Sequence, residues 1–236
     1  MLFAGAGGVT PAGRPVLAAQ GLRADGPSPF QTTYLRFDGP YAEGVADADH
    51  VMYERGLRLR PATGAKGFVK VVVPYFDRTW EHFSSHAQTP PDKPSPYVAV
   101  VEKGRVATIA FPVFKAFATH GNLPYRHLIG LCLRRLLPEP LIRLEAPSYV
   151  EVTATGQSNR TIVHLLSYCP QRRTPNLDIV EEACLVRNVP LSVRLPRPPK
   201  TVRCQPDGEA LPFVYRGGRA DTVVPEICGH RMVVFE

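Results

Sequence analysis

Proline limits what this chain can fold into more than any other feature of its sequence. The chain has 25 prolines among 236 residues, about twice the typical share of roughly 5%. Each proline lacks a backbone N–H and interrupts a helix or a central strand. Together with 19 glycines, this density predicts short elements joined by many turns, and it excludes a helical bundle. The hydrophobic share of 44% is that of an ordinary globular protein with a sizeable core.

Charge and hydropathy predict which partners the chain lacks. The net charge is +7, but the basic residues cluster only as pairs, at Arg134-Arg135 and Arg172-Arg173, and no aromatic RNA-binding signature accompanies them. The longest apolar runs, such as residues 71–73, are far too short to span a bilayer. The N-terminus lacks the basic and apolar regions of a secretory signal. We therefore expect no nucleic-acid partner, no membrane partner and a cytoplasmic location.

The first part of the chain mixes strand and helix patterns. Residues 68–73 read as a strand, residues 97–111 as a β-hairpin that turns at Gly104, and residues 125–137 as a helix that begins after Pro124. Residues 1–4 resemble the end of a buried strand that enters a glycine turn, an element usually found inside an open sheet. We expect residues 1–147 to form a truncated α/β domain.

After Pro147 the sequence changes to short alternating segments that are typical of strands. Those segments are residues 149–155, 161–168, 191–195, 201–204, 211–215, 221–224 and 232–235. Short strands at this spacing predict an antiparallel β-sandwich over residues 148–236. Residues 177–183 could add one helical turn.

Cysteines and histidines outside the central loop are expected to be structural. The five cysteines are odd in number and contain no CxxC pair, so we expect inert, reduced core thiols: Cys132, Cys169, Cys184, Cys204 and Cys228. His164 lies inside a strand pattern and is expected to be a packed, hydrogen-bonded residue. His230 could join Cys204 in a metal site, but no pair of spaced ligands supports one. We predict neither a cofactor nor a metal.

The densest group of polar and aromatic residues lies in residues 74–90, directly after the strand expected at residues 68–73. His82 and His86 could bind a metal from one helix face, although a third ligand is missing. Ser84 or Ser85 could pair with a histidine in a hydrolase, although no G-x-S-x-G elbow is present. Alternatively, Trp80, Phe76 and Phe83 could anchor a long loop in the core. The remaining interpretation is sugar contact, in which aromatic faces and planar polar groups bind a carbohydrate. Its candidate residues are Tyr75, Asp77, Arg78, Trp80, Ser85, His86 and Gln88.

No pair of carboxylates qualifies for glycoside hydrolysis, which needs two of them on opposite sides of the scissile bond. Glu81, Asp77 and Asp92 share one loop region, and Glu139 and Glu145 flank a domain edge. We therefore assign no catalytic residue.

Four sequence blocks carry a resemblance to a known family. They are PYFDR at 74–78, SHAQTP at 85–90, VHLLSY at 163–168 and VPEICGHRMVV at 224–234. In this order they resemble the C-terminal part of large bacterial glycoside hydrolases. Such enzymes carry a β-galactosidase trimerisation-like, glutamine-amidotransferase-like domain of flavodoxin-like fold, followed by a terminal β-sandwich. No cysteine here lies at a nucleophile elbow, so the resemblance implies no amidotransferase activity.

The resemblance also implies a function without catalysis. In such enzymes the catalytic acids lie in a (β/α)8 barrel of ~250 residues, for which this chain has no room. We expect the chain to serve assembly and the shaping of a sugar site, to bind a carbohydrate or a glycosidase barrel, and to show no glycosidase activity alone. Residues 1–9 are the expected open sheet edge, and a homo-oligomer, a trimer by resemblance, is the expected assembly. The alternatives are a small Ser/His hydrolase and a His-based metal-binding module.

Overall fold

A computed structural model describes all residues from 1 to 236 and divides the chain into two compact units, Met1–Pro138 and Glu139–Glu236. The boundary expected at 147 falls inside the second unit. Residues 139–147 belong to the second unit because a short strand at Ile142–Leu144 pairs with a later strand of the second sheet. This pairing covers only three residues of each strand. Such a strand carries too little periodicity to be recognised in a sequence.

The first unit contains eight strands and two helices. The strands are β1 (Leu2–Ala4), β2 (Leu22–Pro27), β3 (Thr33–Arg36), β4 (Asp49–Met52), β5 (Leu57–Pro61), β6 (Lys66–Pro74), β7 (Pro91–Lys103) and β8 (Val106–Ile109). The helices are α1 (Val113–His120) and α2 (Leu123–Leu136). Short 3-10 turns lie at Gly5–Gly8, Ala18–Gln20 and Gly39–Tyr41.

All eight strands belong to one mixed sheet. Its main path runs β1-β8-β7-β6-β3-β4, and β5 joins it by pairing with both β7 and β2. Only β1 and β8 are parallel, and every other pair in this sheet is antiparallel. The α/β class predicted for this half is confirmed, and β1 stands at one end of the path with β8 as its single neighbour.

Sequence patterns found the longer elements of this unit and missed the shorter ones. The strand at β6, the hairpin of β7 and β8 with Gly104 at a φ of +56°, and helix α2 all form as predicted. Helix α1 is missed because it has eight residues and no side-chain N-cap, and it ends at Gly121 in the left-handed region. Strands β2 to β5 are missed because each has six or fewer residues and none contains a run of β-branched residues.

The second unit contains nine strands and no helix. They are β9 (Ile142–Leu144), β10 (Val150–Gln157), β11 (Arg160–Ser167), β12 (Gln171–Thr174), β13 (Leu177–Ile179), β14 (Leu185–Arg194), β15 (Val202–Gln205), β16 (Phe213–Arg216) and β17 (Arg219–Phe235). Strands β12 and β13 form a separate antiparallel hairpin, so the helical turn considered for residues 177–183 is wrong. The other seven form one antiparallel sheet, and the all-β class is confirmed.

Strand β17 organises this second sheet. Two strands expected at 221–224 and 232–235 are one strand of 17 residues. Its first part pairs with β14 and β16, and from Gly229 onward it pairs with β11 and β15. Gly229 has a φ of +72°, and a Cβ there would lie 2.8 Å from the Tyr168 hydroxyl oxygen, so only glycine fits the change of partner.

Each unit has its own core. In the first, β-branched and aromatic residues of the sheet pack against the inner faces of the two helices, including Tyr125, Leu128 and Cys132 of α2. In the second, alternate residues of β11, β14, β15 and β17 form the core. No helix of the chain is long and apolar enough to cross a membrane.

Candidate functional site

The 75–90 loop, which connects β6 to β7, is fixed at its base. The Tyr75 N–H donates to the Pro90 carbonyl at 2.9 Å, and the Thr89 hydroxyl donates to the Phe76 carbonyl at 2.6 Å. The Tyr34 hydroxyl donates to the Thr89 carbonyl from strand β3. Thr89 is buried, so the loop leaves the sheet and returns to it at one closed point.

Beyond this base the loop presents aromatic rings to solvent. The exposed fractions are 89% for Trp80, 71% for Tyr75 and 70% for Phe83. Of the loop's aromatic rings only Phe76 is half-buried. The hypothesis that Trp80 and Phe83 anchor the loop in the core is therefore wrong, because both side chains are exposed and neither belongs to the core of the first unit.

A few contacts organise the tip of the loop. Arg78 Nη1 donates to the His86 carbonyl at 3.2 Å, and the Arg78 guanidinium lies 5.1 Å from the centre of the Phe83 ring. The His82 N–H donates to the Thr79 hydroxyl at 3.0 Å, and the Thr79 N–H donates to the His82 carbonyl at 2.9 Å. These local bonds hold the chain in a folded loop while the Trp80 ring stays exposed to solvent.

The structure places the seven predicted site residues in two groups. Tyr75, Arg78, Trp80, Ser85 and His86 are exposed or only partly covered at the loop surface, and Asp77 and Gln88 are half-buried. Gln88 belongs to the base rather than the tip, because its Oε1 accepts a hydrogen bond from the Tyr53 hydroxyl at 3.1 Å. Sequence reasoning assigned Phe83 to the core and omitted Tyr53. An unbroken run of aromatic, charged and small residues could have signalled that Phe83 is exposed, but nothing in the sequence links Tyr53 to this loop.

The loop geometry does not form a serine–histidine pair. The Ser84 hydroxyl accepts from the backbone N–H of His86 at 3.4 Å, which is a local turn contact. The His82 ring lies against Phe76, with centroids 6.1 Å apart. Neither imidazole ring hydrogen-bonds a serine hydroxyl or a carboxylate, so a base that could activate a nucleophile is missing.

The helix face proposed for His82 and His86 does not exist, because residues 75–90 contain no helix. No group of three or more His, Cys, Asp or Glu side chains anywhere in the chain could hold a metal ion. His164 and His230 lie side by side in the second unit, with His164 Nδ1 3.1 Å from His230 Nε2 and the rings stacked. His164 is hydrogen-bonded, as predicted, while Cys204 is buried in the core and does not join them.

The cysteines are less uniform than predicted. Cys132 and Cys204 are buried, Cys169 and Cys184 are half-buried, and Cys228 is exposed. The prediction of a core thiol is wrong for Cys228, because it lies on the outward side of β17, next to the inward-facing Ile227.

The carboxylate of Glu102, a side chain that is 13% exposed, is fully engaged. Tyr41 donates to its Oε1 at 2.5 Å, and Arg135 donates to both oxygens at 2.8 and 2.7 Å. Burial alone would raise the pKa of Glu102, but the hydrogen bonds from Arg135 and Tyr41 outweigh it and hold this pKa below its ordinary value. Burial raises the pKa of the neighbouring Cys132 thiol to about 11. This Glu102 cluster joins α2 to the sheet, and it leaves no carboxylate poised for acid–base chemistry.

Comparison with known proteins assigns the fold to a class. No protein-family model matches the chain, and no curated protein matches its sequence. Among solved structures, α-L-fucosidase isoenzyme 2 from Paenibacillus thiaminolyticus superposes on 100% of this chain with a TM-score of 0.93 and 29% sequence identity. The chain spans 36% of that enzyme's length.

A second solved structure, a GH42 β-galactosidase from G. stearothermophilus, covers 99% of this chain with a TM-score of 0.50 and 10% identity. The chain spans 27% of that protein, and the likeness concerns the fold alone. Both matches lie in the C-terminal portions of the two enzymes. The chain thus has the fold of glycoside hydrolase C-terminal regions, as the sequence blocks predicted, and over its whole length it is similar to part of the α-L-fucosidase.

Proposed function

We propose that this chain is a non-catalytic portion of a glycoside hydrolase that helps to assemble the enzyme and to shape its sugar site. The observation that carries the proposal is the 75–90 loop. Three aromatic rings there face solvent on a segment whose base is fixed by buried hydrogen bonds. Exposing large aromatic rings together is unfavourable unless something covers them, and pyranose rings present apolar faces that stack on such rings.

The proposed kind of sugar follows from a solved structure to which the chain is similar. That protein is named as an α-L-fucosidase, so a fucoside, or a galactoside as for the GH42 enzyme, is the proposed class of substrate. Arg78 and His86 lie at the tip among the aromatic rings, where they could donate hydrogen bonds to sugar hydroxyls. A glycosidase barrel would supply the two carboxylates that this chain does not bring together.

Trp80 offers a direct test of sugar contact because it is the only tryptophan in the chain. We expect methyl α-L-fucoside or methyl β-galactoside to shift or quench its fluorescence saturably. Tyr75→Ala should weaken that response about tenfold. The matched control is Phe114→Ala, which removes another exposed aromatic ring, on helix α1, and should leave the response unchanged. Fluorescence that no sugar alters, or that both variants alter equally, would contradict the contact.

Activity assays separate the proposal from its alternative. The purified chain is expected to leave nitrophenyl α-L-fucoside, nitrophenyl β-galactoside and nitrophenyl acetate intact. Ester cleavage that His86→Ala abolishes would instead establish a small Ser/His hydrolase. Stoichiometric zinc found by elemental analysis would support the metal-binding module.

We also propose that the chain self-associates or binds a partner through the β1 edge of the first sheet. β1 has one neighbouring strand, and the first charged side chain of the sequence is Arg14, so little there opposes strand pairing. Light scattering at several concentrations should show a mass above 26.0 kDa, and Phe3→Lys should reduce it. A constant monomer mass that the substitution does not alter would contradict this assembly.

A further inference from the structure

Strand β10 of the second unit is a long, regular strand with one free edge. It pairs with β11 through eight consecutive residue pairs, from Val150 opposite Ser167 to Gln157 opposite Arg160, without a bulge. No strand lies on its other side. Residues 151–157 form no backbone hydrogen bond outside the pairing with β11. Their outer N–H and C=O groups are therefore available to a further strand.

The other strands of the two main sheets that have a single neighbour offer less backbone to a partner. Strands β1 and β9 have three residues, and β4, β15 and β16 have four. Strand β2 has six, but its register shifts between Ala24 and Pro27. Natural sheets limit edge-to-edge association by short edge strands, bulges, prolines and lysines. Strand β10 has eight residues and none of these features.

Both sides of β10 suit strand pairing. On the core side, its apolar residues pack against the second core but are only half-buried, and a further strand would cover them: Val150, Val152 and Ala154. On the outward side, the exposed residues are Glu151, Thr153 and Thr155. Glu151 is the only charged residue of the strand, so pairing requires no complementary charge from a different partner.

A second copy of β10 fits this edge in one register. An antiparallel copy related by a twofold axis perpendicular to the sheet keeps the two core sides together. With Thr153 opposite itself, Val152 pairs with Ala154 of the second copy on the core side. On the outward side Glu151 pairs with Thr155 of the second copy. The two Glu151 carboxylates do not meet, and a threonine pair at the axis is a favourable cross-strand contact.

We propose that two copies of this chain form a twofold dimer by antiparallel pairing of their β10 strands over residues 150–156. The seven-stranded sheet of one copy then continues into that of the other. This contact is independent of the association proposed for β1, because β1 belongs to the first unit and β10 to the second.

Two lysine substitutions on the outward side test the pairing and its register. Light scattering of the Phe3→Lys chain, in which β1 no longer contributes, should approach twice 26.0 kDa with rising concentration. In that chain, Thr153→Lys sets two ammonium groups opposite each other at the axis and should raise the dissociation constant about tenfold. Thr155→Lys adds the same charge to the same face, opposite the Glu151 carboxylate of the second copy. It should lower the dissociation constant about fivefold.

Both lysine variants replace exposed threonines, so they should remain folded. Their melting temperatures, measured at concentrations where the chain is monomeric, should match that of the Phe3→Lys parent. A change in mass at an unchanged melting temperature reports the dimer contact rather than unfolding.

Cysteine cross-linking locates the contact directly. In a Cys228→Ser chain, which lacks the exposed native thiol, Thr153→Cys should form an intermolecular disulfide, because directly opposite residues lie within disulfide reach. Thr155→Cys alone should not, because its counterpart lies about 13 Å away along the strand. Mixing the Thr155→Cys chain with a Glu151→Cys chain should restore the cross-link.

Three results would overturn the dimer. They are a mass of 26.0 kDa at every concentration, equal effects of Thr153→Lys and Thr155→Lys on the dissociation constant, and cross-linking of Thr155→Cys alone as fast as Thr153→Cys. A Phe3→Lys chain that stays monomeric would show that a different partner, such as a glycosidase barrel, covers this edge.

Discussion

The Glu102 cluster and the 75–90 loop both place an arginine on an aromatic ring, but the cluster stabilises the fold whereas the loop presents a surface. In the cluster, Tyr41 and Phe68 lie under the Arg135 guanidinium at 5.5 and 5.4 Å. The Glu102 carboxylate forms an ion pair with that guanidinium. In the loop, Arg78 lies over Phe83 at 5.1 Å with no carboxylate beside it. An arginine on an aromatic ring is therefore no guide to function by itself. Burial and the presence of the carboxylate decide whether the contact holds the fold together or presents a surface.

The largest expected effect is on the free energy of unfolding when one tyrosine in each region is truncated. Tyr41 is completely buried and Tyr75 is mostly exposed. Tyr41→Ala should lower the free energy of unfolding by about 3–5 kcal/mol, because it leaves a cavity and removes a hydrogen bond to Glu102. Tyr75→Ala should change it by no more than about 0.5 kcal/mol. Denaturant unfolding measures both, and equal losses would show that the loop is part of the core.

Charge removal at Glu102 should have an intermediate effect that depends on pH. Because the pKa of Glu102 is lower in the folded chain than in the unfolded chain, its ionisation stabilises the fold fully above the unfolded value of ~4.3. That contribution is lost as the pH falls through the lower folded value. Glu102→Gln should cost about 2 kcal/mol at neutral pH and less in acid.

Denaturant unfolding curves measured from neutral pH down through the folded pKa of Glu102 would check this prediction. Tyr41→Phe is the matched control, because it keeps the carboxylate and its arginine and should retain most of the wild-type pH dependence. A Glu102→Gln deficit that stays constant across the acid range would contradict the assigned direction of the pKa.

The smallest perturbation is thiol labelling, because its main measurement uses the unaltered chain. Cys132 contacts the Tyr41 hydroxyl at 3.4 Å inside the cluster, and its pKa of about 11 leaves little thiolate at neutral pH. We expect a disulfide reagent to react rapidly with exposed Cys228 and to reach Cys132 only after unfolding. Cys228→Ser should remove the fast phase. Rapid labelling of Cys132 in the native chain would show that α2 opens away from the sheet.

The sequence predicted those parts of the fold whose signals are local. The period of α2, the alternation in β10 and β11 and the turn at Gly104 each lie within a few residues, and each element forms where expected. Strand β9 has no such signal and was not predicted. Strand β1 was predicted at residues 1–4, but its parallel pairing could not be, because its partner lies more than a hundred residues away. The merging of two expected strands into β17 also depends on its partners, which change at Gly229.

The position of the candidate site could be predicted, but its details could not. The residue types of the 75–90 loop and its place after a strand are visible in the sequence, and they left both a binding surface and a core anchor open. The role of each residue is not visible in the same way. Trp80 and Phe83 are residue types that usually lie largely buried, and only the folded structure shows that both are exposed. The Gln88 side chain is half-buried because its Oε1 accepts a hydrogen bond from the Tyr53 hydroxyl.

By itself, the sequence determined the two fold classes, the longer elements and the segment that carries the exposed rings, because these depend on periodicity and on residues close together in the chain. Tertiary structure decided which charges are satisfied and which are not. Glu102 meets Arg135 across 33 residues, whereas Arg78 on the 75–90 loop donates only to the His86 carbonyl and meets no carboxylate. Pairing and burial over such separations arise only when the chain is folded, since they depend on which strands become neighbours.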